Sequence, residues 1–362
     1  MLRRDFLSFM AASVALSATP LQARAQTTPD LFLPEHPLQQ SWQLWKKLCL
    51  SADGRVIDGF QNSASHSEGQ GYGLTLAAIF DDRAAIDLII GWSDNNLAVR
   101  DDALMAWRWQ PDSDPPIQDR NNATDGDLFY AWGLAMAGAR QERPDLTDRA
   151  RQICNDIVRL CSVPHPDGSG KIMMLPAAMG FRTAEQLVIN PSYYMPLAMR
   201  ELARMTGVAQ LDSMADTGVE LINGLAKDGL VPDWIALTAK GVEAPPANFS
   251  QNSGYEAIRV PLIAMWSGDG RSPAVANFAL ATLDSAKTDS TPVVFDPRTR
   301  EVRDRSSHAG YAAVAALCAC AASKGVGSAM PRFTTEQPYY PATLHMMALV
   351  AQATQFPKCV PI

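Results

Sequence analysis

The chain has 362 residues, with 31 Lys and Arg against 38 Asp and Glu and a formal net charge of −7. An acidic chain without basic clusters is a poor candidate for binding nucleic acid or anionic membrane surfaces, so we expect neither partner. Its length allows a sizeable core, in one large domain or two ordinary ones.

The first 25 residues predict a secretory signal peptide. Arg3 and Arg4 give a positive start, residues 6–16 are a short apolar stretch, and Ala23-Arg24-Ala25 predicts cleavage after Ala25. The paired arginines fit a twin-arginine signal or an ordinary leader, and the route stays open. Cleavage would remove three arginines and one aspartate, moving the formal charge from −7 to −9. No later stretch has the roughly 20 apolar residues of a membrane span, so we expect a periplasmic or secreted mature chain, 26–362.

Apolar residues at helical spacing recur along the whole mature chain and predict one all-α domain with little β structure. A ring of helical hairpins is favoured over a solenoid because no repeat of fixed length is visible. The best strand candidate is Thr291 to Phe295. Helices are predicted near residues 36–50, 68–80, 82–97, 125–141, 146–162, 191–206, 211–226, 254–267, 272–287, 307–323 and 338–355.

The six cysteines are too few for a disulfide scaffold. None forms a Cys-x-x-Cys pair and there are only five histidines, so a structural zinc site has little support. We expect mostly buried thiols, while the pairing of any disulfide after export stays open.

Three segments place carboxylates at the starts of predicted helices. Their spacings match a capping box, in which the carboxylate three residues after the cap residue reaches back to the amide of that residue. Capping is the simpler interpretation of each segment alone. The matching pairs are Ser65 and Glu68, Thr124 and Asp127, and Ser253 and Glu256.

The glycines after Glu68 change this balance. Gly69, Gly71 and Gly73 each cost a helix roughly 0.5–1 kcal/mol relative to alanine, so helix stability alone does not explain them. They would let a ligand, or a neighbouring backbone, come close to Glu68. Because a helix N-terminus lowers a carboxyl pKa, an acid at this position would need burial or a neighbour such as Asp125 to raise the pKa again.

Aromatic residues favour a sugar ligand, because the flat C–H faces of a neutral glucan stack on such rings. Trp107 and Trp109 are two residues apart beside a proline-rich loop, so they do not share a helical stripe, and we expect at least one to line a cleft. Four other tryptophans at helical spacing are predicted to lie in the core: Trp42, Trp45, Trp92 and Trp132. His66, beside Glu68, is given no role.

Taken together and in order, the motifs resemble glycoside hydrolase family 8, and most of all the endoglucanases encoded with bacterial cellulose synthases. The resemblance runs from about residue 40 to past 340. Its motifs are Gly54-Arg55-Val56-Ile57-Asp58, Ser67-Glu68-Gly69-Gln70-Gly71-Tyr72-Gly73, Ala106-Trp107-Arg108-Trp109, Ala123-Thr124-Asp125-Gly126-Asp127, Asn190-Pro191-Ser192-Tyr193 and Tyr255-Glu256-Ala257-Ile258-Arg259-Val260.

The resemblance implies an (α/α)6 barrel and an inverting mechanism that needs neither metal nor cofactor. By similarity, Glu68 would be the general acid, and Asp125 would hold the sugar at the cleavage point. The resemblance places Tyr193 and Arg259 as supports of that subsite.

Asp127, in the same Asp-Gly-Asp motif as Asp125, is also expected at the substrate. Many relatives carry aspartate as the base where this chain has Glu256. The extra methylene leaves open whether Glu256 or another carboxylate activates water.

The sequence thus favours an inverting endo-β-1,4-glucanase that contributes to cellulose export or trimming and that could associate with the synthase machinery. The alternative is a non-catalytic glucan-binding or scaffold protein, for which the substitution at Glu256 is the one supporting feature. A helical-repeat interaction protein is a third interpretation, and it would require neither Glu68 nor the glycine cluster.

Overall fold

The computed structural model describes residues 30–287, 289–323 and 326–360, and within them the fold is predominantly helical. The predicted signal peptide lies outside these residues. The eleven helices of the described residues are α1 (Leu38–Cys49), α2 (Ser67–Ile79), α3 (Arg83–Asn96), α4 (Thr124–Arg140), α5 (Pro144–Cys161), α6 (Pro196–Thr206), α7 (Gln210–Ala226), α8 (Arg259–Trp266), α9 (Pro273–Asp284), α10 (Ala309–Ser323) and α11 (Tyr339–Gln355).

Short strands between the helices form small antiparallel sheets. The strands are β1 (Ser65–His66), β2 (Arg108–Trp109), β3 (Ser162–Pro164), β4 (Ile172–Met174), β5 (Leu187–Ile189), β6 (Ile235–Thr238), β7 (Gly241–Glu243), β8 (Thr291–Phe295) and β9 (Val302–Ser306). They form the pairs β1–β2, β3–β4 and β8–β9 and the three-stranded sheet β5–β6–β7.

The helices fall into two layers according to which faces they bury. Nearly every residue of α2, α4, α8 and α11 is buried, as expected of helices surrounded by other helices. In contrast, α5 buries one stripe, which includes Leu146, Ile153 and Ile157 and leaves its other face in solvent. An inner layer of apolar helices is therefore covered by an outer layer of amphipathic ones.

Each predicted helix is present, and Thr291–Phe295 is a strand as predicted. Two predicted helix starts were wrong. Residues 191–193 form a 3₁₀ turn, and α6 begins only at Pro196, where proline suits a first helical turn. Residues 255–258 form a turn before α8, because the Asp233 carboxylate binds the backbone amides of Gly254 and Ala257.

The predicted core tryptophans are buried, with Trp42 and Trp45 completely inaccessible and stacked 5.2 Å apart. Trp92 and Trp132 are also buried. Cys320 and Cys359 form a disulfide, which ties the C-terminal 3₁₀ turn (Pro357–Cys359) to α10. The free cysteines of the described residues are all buried, as expected for most of the six: Cys49, Cys154, Cys161 and Cys318.

No helix in the described part of the chain is both long enough and apolar enough to cross a bilayer.

Candidate active site

The first turns of four buried helices meet at one place. Glu68 lies in the first turn of α2 and Asp125 in that of α4, while Arg259 begins α8 and Tyr339 begins α11. One amino group of Arg259, Nη1, donates to the Glu68 carboxylate and lies 3.3 Å from Asp125 Oδ2. The Tyr339 hydroxyl donates to Glu68 Oε1 at 3.3 Å. The structure thus gathers predicted site residues that are up to 191 positions apart in the chain.

Glycines bring α2 and α4 together backbone to backbone. A Cβ on Gly71 would lie 2.6 Å from the Gly126 carbonyl oxygen, and one on Gly126 would lie 2.5 Å from the Glu68 amide nitrogen. Real Cβ atoms do not approach other atoms so closely, so both positions require glycine. Close packing of α2 on α4 explains Gly71, while a Cβ on Gly69 or Gly73 would meet the side chains of Tyr339 and Val56. The packing at Gly71 and Gly126 sets Glu68 beside Asp125.

The capping interpretation of the carboxylates was wrong. Helices α2, α4 and α8 have no side-chain hydrogen bond at their N-caps. The Ser65 hydroxyl donates to the Val56 carbonyl instead, and the Thr124 hydroxyl donates to the Leu175 carbonyl. The carboxylates of Glu68 and Glu256 are therefore free to take part in the site.

Arg259 is the centre of the site, with a side chain that is only 3% exposed. Its Nη1 also contacts the Tyr72 hydroxyl at 3.0 Å. The other amino group, Nη2, donates to Ser192 Oγ at 2.9 Å and to the Glu256 carboxylate. The guanidinium stands 5.6 Å from the centre of the Tyr193 ring. Glu68 and Glu256 therefore bind opposite amino groups of one buried cation.

Glu256 is held through both its side chain and its backbone. Asn190 Nδ2 donates to Glu256 Oε2 at 2.9 Å. On either side of Glu256, the amides of Gly254 and Ala257 donate to Asp233 Oδ1 at 2.8 and 2.9 Å. The buried Asp233 thus fixes the turn that carries Glu256.

The three carboxylates differ in how far they can be reached. The side chains of Glu68 and Glu256 are 22% and 36% exposed, whereas that of Asp125 is 3% exposed. A ligand can therefore touch Glu68 and Glu256 directly, while Asp125 lies in the floor beneath them.

Burial governs the protonation of Glu68 and Asp125. Desolvation raises the pKa of Glu68, although Arg259 opposes this shift; the nearby charge of Glu256 adds to it. The pKa of Asp125 is raised for the same reason, again against the effect of Arg259. Glu68 therefore meets the requirement for an acid at a helix N-terminus, whose dipole alone would lower its pKa.

Asp127 does not join the contacts of Arg259. Its Oδ1 accepts the Met105 amide at 2.9 Å and its Oδ2 accepts Asn122 Nδ2 at 3.0 Å. Burial raises the pKa of Asp127 to about 7. These contacts support the segments that precede α4, and a direct contact between Asp127 and substrate stays a prediction.

The two tryptophans of the Trp-Arg-Trp motif have different surroundings, and both are half-buried. The Trp107 ring stacks on His66, with centroids 6.5 Å apart, and its Nε1 donates to Asp119 at 3.1 Å. The Trp109 ring packs edge-on against Trp92 of α3 at 5.6 Å. Of the two, Trp107 is the one whose ring contacts His66, two residues before Glu68.

Several residues of the site were not singled out by the sequence analysis. Tyr72, Asn190 and Ser192 stand inside the recognised motifs, so their positions could have been found there. Asp233 and Tyr339 lie outside every motif and carried no signal.

A group of four aromatic residues also lies near the site, with Trp234 at its centre. The Trp234 ring stacks on Phe181 at 5.8 Å and lies 4.9 Å from Phe249 and 6.2 Å from Tyr193. Trp234 also borders a cavity of about 800 Å³ between α7 and the β6–β7 hairpin, which none of the site carboxylates lines. The candidate site is therefore the group of carboxylates around Arg259 and not that cavity.

The sequence matches the family described as "Glycosyl hydrolases family 8" over residues 10–354. A probable endoglucanase from Novacetimonas hansenii is 29% identical over 352 residues, covering 96% of this chain and 98% of that protein. An endoglucanase from Cellulomonas uda is 31% identical over 290 residues, covering 80% of this chain and 79% of that protein.

The fold is similar to the solved structure of endo-β-1,4-glucanase CMCax from Acetobacter xylinum. The TM-score is 0.77 at 29% identity, and the match covers 88% of this chain and 98% of that chain. The shared architecture is the (α/α)6 barrel, which confirms the predicted fold class.

We expect Asp127 to make the protein less stable as the pH rises. Its carboxyl has a folded-state pKa of about 7, against about 3.9 in an unfolded chain. The folded state therefore binds the extra proton between these values, and the stabilisation is present below about pH 4 and lost as the pH rises to 7. Urea unfolding should be measured between about pH 4.5 and 7, which lies within this interval. The free energy of unfolding should fall less over that range in Asp127→Asn than in wild type.

The exposed Asp212 provides the control, because Asp212→Asn should keep the pH dependence of wild type. An Asp127→Asn variant with the pH dependence of wild type would show that Asp127 is ionised in the folded protein.

Proposed function

Because the chain belongs to glycosyl hydrolase family 8 and is therefore a glycoside hydrolase, we propose that it cuts internal bonds of a β-1,4-linked glucan with inversion. One observation carries this proposal: two reachable carboxylates, Glu68 and Glu256, lie on opposite amino groups of the buried Arg259. Glycosidic cleavage needs such a pair, in different protonation states. The relatives named as endoglucanases support the choice of reaction.

We assign Glu68 as the general acid. An acid must hold a proton at the working pH and still release it to the leaving oxygen. A raised pKa supports the first requirement, and the charge of Arg259, which lowers the pKa again, supports the second. The Tyr339 hydroxyl, which donates to Glu68 Oε1, orients the carboxyl. Because the side chain is partly exposed, its proton can reach a sugar bound over it.

We assign Glu256 as the general base. It is the most exposed of the three carboxylates, which suits a group that must contact a water. Asn190 and Arg259 both bind its Oε2, so the other oxygen, Oε1, is left to accept a proton from water. The longer side chain of glutamate is thus anchored at its end, and the fixed turn anchors its backbone.

The guanidinium of Arg259 lies between the two carboxylates and keeps them from direct contact. Inverting enzymes need their carboxyl groups farther apart than retaining ones, because a water must fit beside the sugar. Inversion is also characteristic of the family. Asp125 accepts a hydrogen bond from Arg259 and so holds the guanidinium in place, with the Tyr193 ring beside it. Support of the sugar by these residues is the role that the resemblance implies.

We further propose that the substrate is cellulose and that the protein acts in the periplasm on a chain made for export. The support is the predicted signal peptide and the similarity to a probable endoglucanase of Novacetimonas hansenii. N-terminal sequencing of protein recovered from the periplasm should begin at Gln26. Recovery of the uncleaved chain from the cytoplasm alone would overturn this placement, and with it any association with the synthase machinery.

The non-catalytic alternative rested on glutamate at position 256. The comparisons do not favour it, and the contacts of Glu256 with Asn190 and Arg259 give a glutamate at this position a defined place.

The first prediction about activity concerns the two carboxylates, tested on carboxymethylcellulose. Glu68→Gln and Glu256→Gln should each lower reducing-sugar release by about 100- to 10,000-fold, since general acid–base catalysis contributes that much. An early loss of viscosity with wild type would indicate internal cleavage, and proton NMR of fresh products should show inverted anomers.

Glu220→Gln, on the exposed side of α7, is the matched control and should keep full activity. Circular dichroism checks that each variant is folded. If only Glu256→Gln kept its activity, another residue would have to be the general base. Products with retained anomeric configuration would exclude the inverting mechanism. A folded wild type that binds the glucan without cutting it would restore the non-catalytic alternative.

The second prediction concerns the length of the side chain at position 256. Asp233 fixes the backbone there, so Glu256→Asp withdraws the carboxylate from Asn190 and Arg259 by one methylene. A displacement of about 1 Å can cost on the order of 100-fold in rate, and we expect kcat to fall by about that factor. The same shortening in the control Glu220→Asp should have no effect. Wild-type kcat in Glu256→Asp would show that these contacts do not position the base.

A further inference from the structure

Two groups of aromatic side chains lie between the carboxylates and the surface. Tyr340 directly follows Tyr339, and Tyr255 directly precedes Glu256. The Tyr340 hydroxyl donates to the Tyr255 carbonyl, which joins the two segments. The Tyr311 ring lies 6.1 Å from that of Tyr255 and 6.4 Å from that of Tyr340. This aromatic group therefore starts at the site itself.

Phe60 and His308 form the second group, which reaches the protein surface. Its ring is 6.2 Å from that of His308, and the carbonyl of His308 accepts the Tyr311 amide at 3.3 Å. Phe60 is 71% exposed, and Tyr255 is 45% exposed. Single exposed apolar residues are common, but Phe60 differs from them because its ring contacts that of His308, whose backbone bonds that of Tyr311 in the tyrosine group beside Glu256.

The turn that carries Phe60 is well fixed. Its ends are joined by the Asp58 amide, which donates to the Ala64 carbonyl at 2.9 Å. Within the turn, the Phe60 amide donates to Asp58 Oδ1 at 3.0 Å. Two residues of the turn, Asn62 and Ser63, have φ angles of 55° and 54°, which also marks a tight local conformation. A backbone fixed in this way keeps Phe60 at one place on the surface, so little backbone freedom is lost when a ligand stacks on its ring.

From these contacts we propose that Phe60 and His308 form a distal sugar-binding subsite for the glucan chain. The apolar face of a glucose ring stacks on Phe60, while the imidazole of His308 hydrogen-bonds a hydroxyl at the edge of the same sugar. Phe60 is a binding residue and takes no part in the chemistry. This proposal rests on the proposed glucanase function. It adds that contacts with the glucan chain extend from the cleavage point past Tyr255 to the surface.

A subsite far from the cleavage point contributes only when the substrate is long enough to reach it. Hydrolysis of cellohexaose and cellotetraose should therefore be compared in wild type and Phe60→Ala. We expect Phe60→Ala to lower kcat/KM for cellohexaose by about 3- to 10-fold, through KM, because an aromatic contact contributes on that scale. With cellotetraose the change should be under about 2-fold, within the scatter of such contacts.

Two control variants complete the test. Phe60→Trp keeps an aromatic face and should restore the preference for the longer substrate. Leu283→Ala removes another apolar side chain, which is 58% exposed on α9, and should leave kcat/KM unchanged for both substrates.

An unchanged ratio between the two substrates in Phe60→Ala would overturn the subsite. An equal loss on both, accompanied by a lower melting temperature, would assign Phe60 a packing role and overturn it as well. If wild type cuts neither substrate, the glucanase function fails instead. The subsite is then judged by calorimetric binding of cellohexaose, which Phe60→Ala must weaken for it to stand.

Discussion

The structure of the site depends on one buried cation. The Arg259 side chain is 3% exposed, and a charge removed from water costs several kcal/mol unless partners replace the water. Here the partners come from separate parts of the chain: Glu68 and Tyr72 of α2, Asp125 of α4, and Ser192 of the 3₁₀ turn. Removing one partner of a buried ion pair typically costs about 3–5 kcal/mol, so these elements are held in register by the need to surround the guanidinium. The glycine contacts between α2 and α4 make the close approach possible.

Differences in burial account for the separate roles of Glu68 as acid and Glu256 as base, although both bind Arg259. At Glu68, burial raises the pKa while Arg259 lowers it, and burial is the larger effect. The result is a carboxyl that can keep a proton although it lies beside a cation and at a helix N-terminus. Glu256 binds the same cation from a more exposed turn, where water has access to it. A single Arg can therefore hold an acid and a base in one cleft because their surroundings differ in exposure.

The sequence predicted the helical class, the order of the helices and most of the site, because long amphipathic segments and ordered motifs carry strong signals. Its predictions were wrong where contacts with distant parts of the chain decide the local conformation. Three capping boxes were compatible with the spacing, yet Ser65 and Thr124 bond to carbonyls from other segments. The turn at 255–258 was predicted as helix because its dependence on Asp233, more than 20 residues earlier in the chain, leaves no local pattern. Most of the strands have only two to four residues, too few to show alternation.

The pH dependence of kcat/KM in an Arg259→Met variant tests the central claim most directly. Arg259 lowers the pKa of Glu68, so its loss should let that pKa rise. The alkaline limb, where the acid loses its proton, should then move to higher pH while the rate falls by at least about 10-fold. Arg259→Lys, which keeps the charge, should leave the limb closer to that of wild type. A folded Arg259→Met variant with the alkaline limb and rate of wild type would contradict the account, because Arg259 would then neither tune nor position the acid.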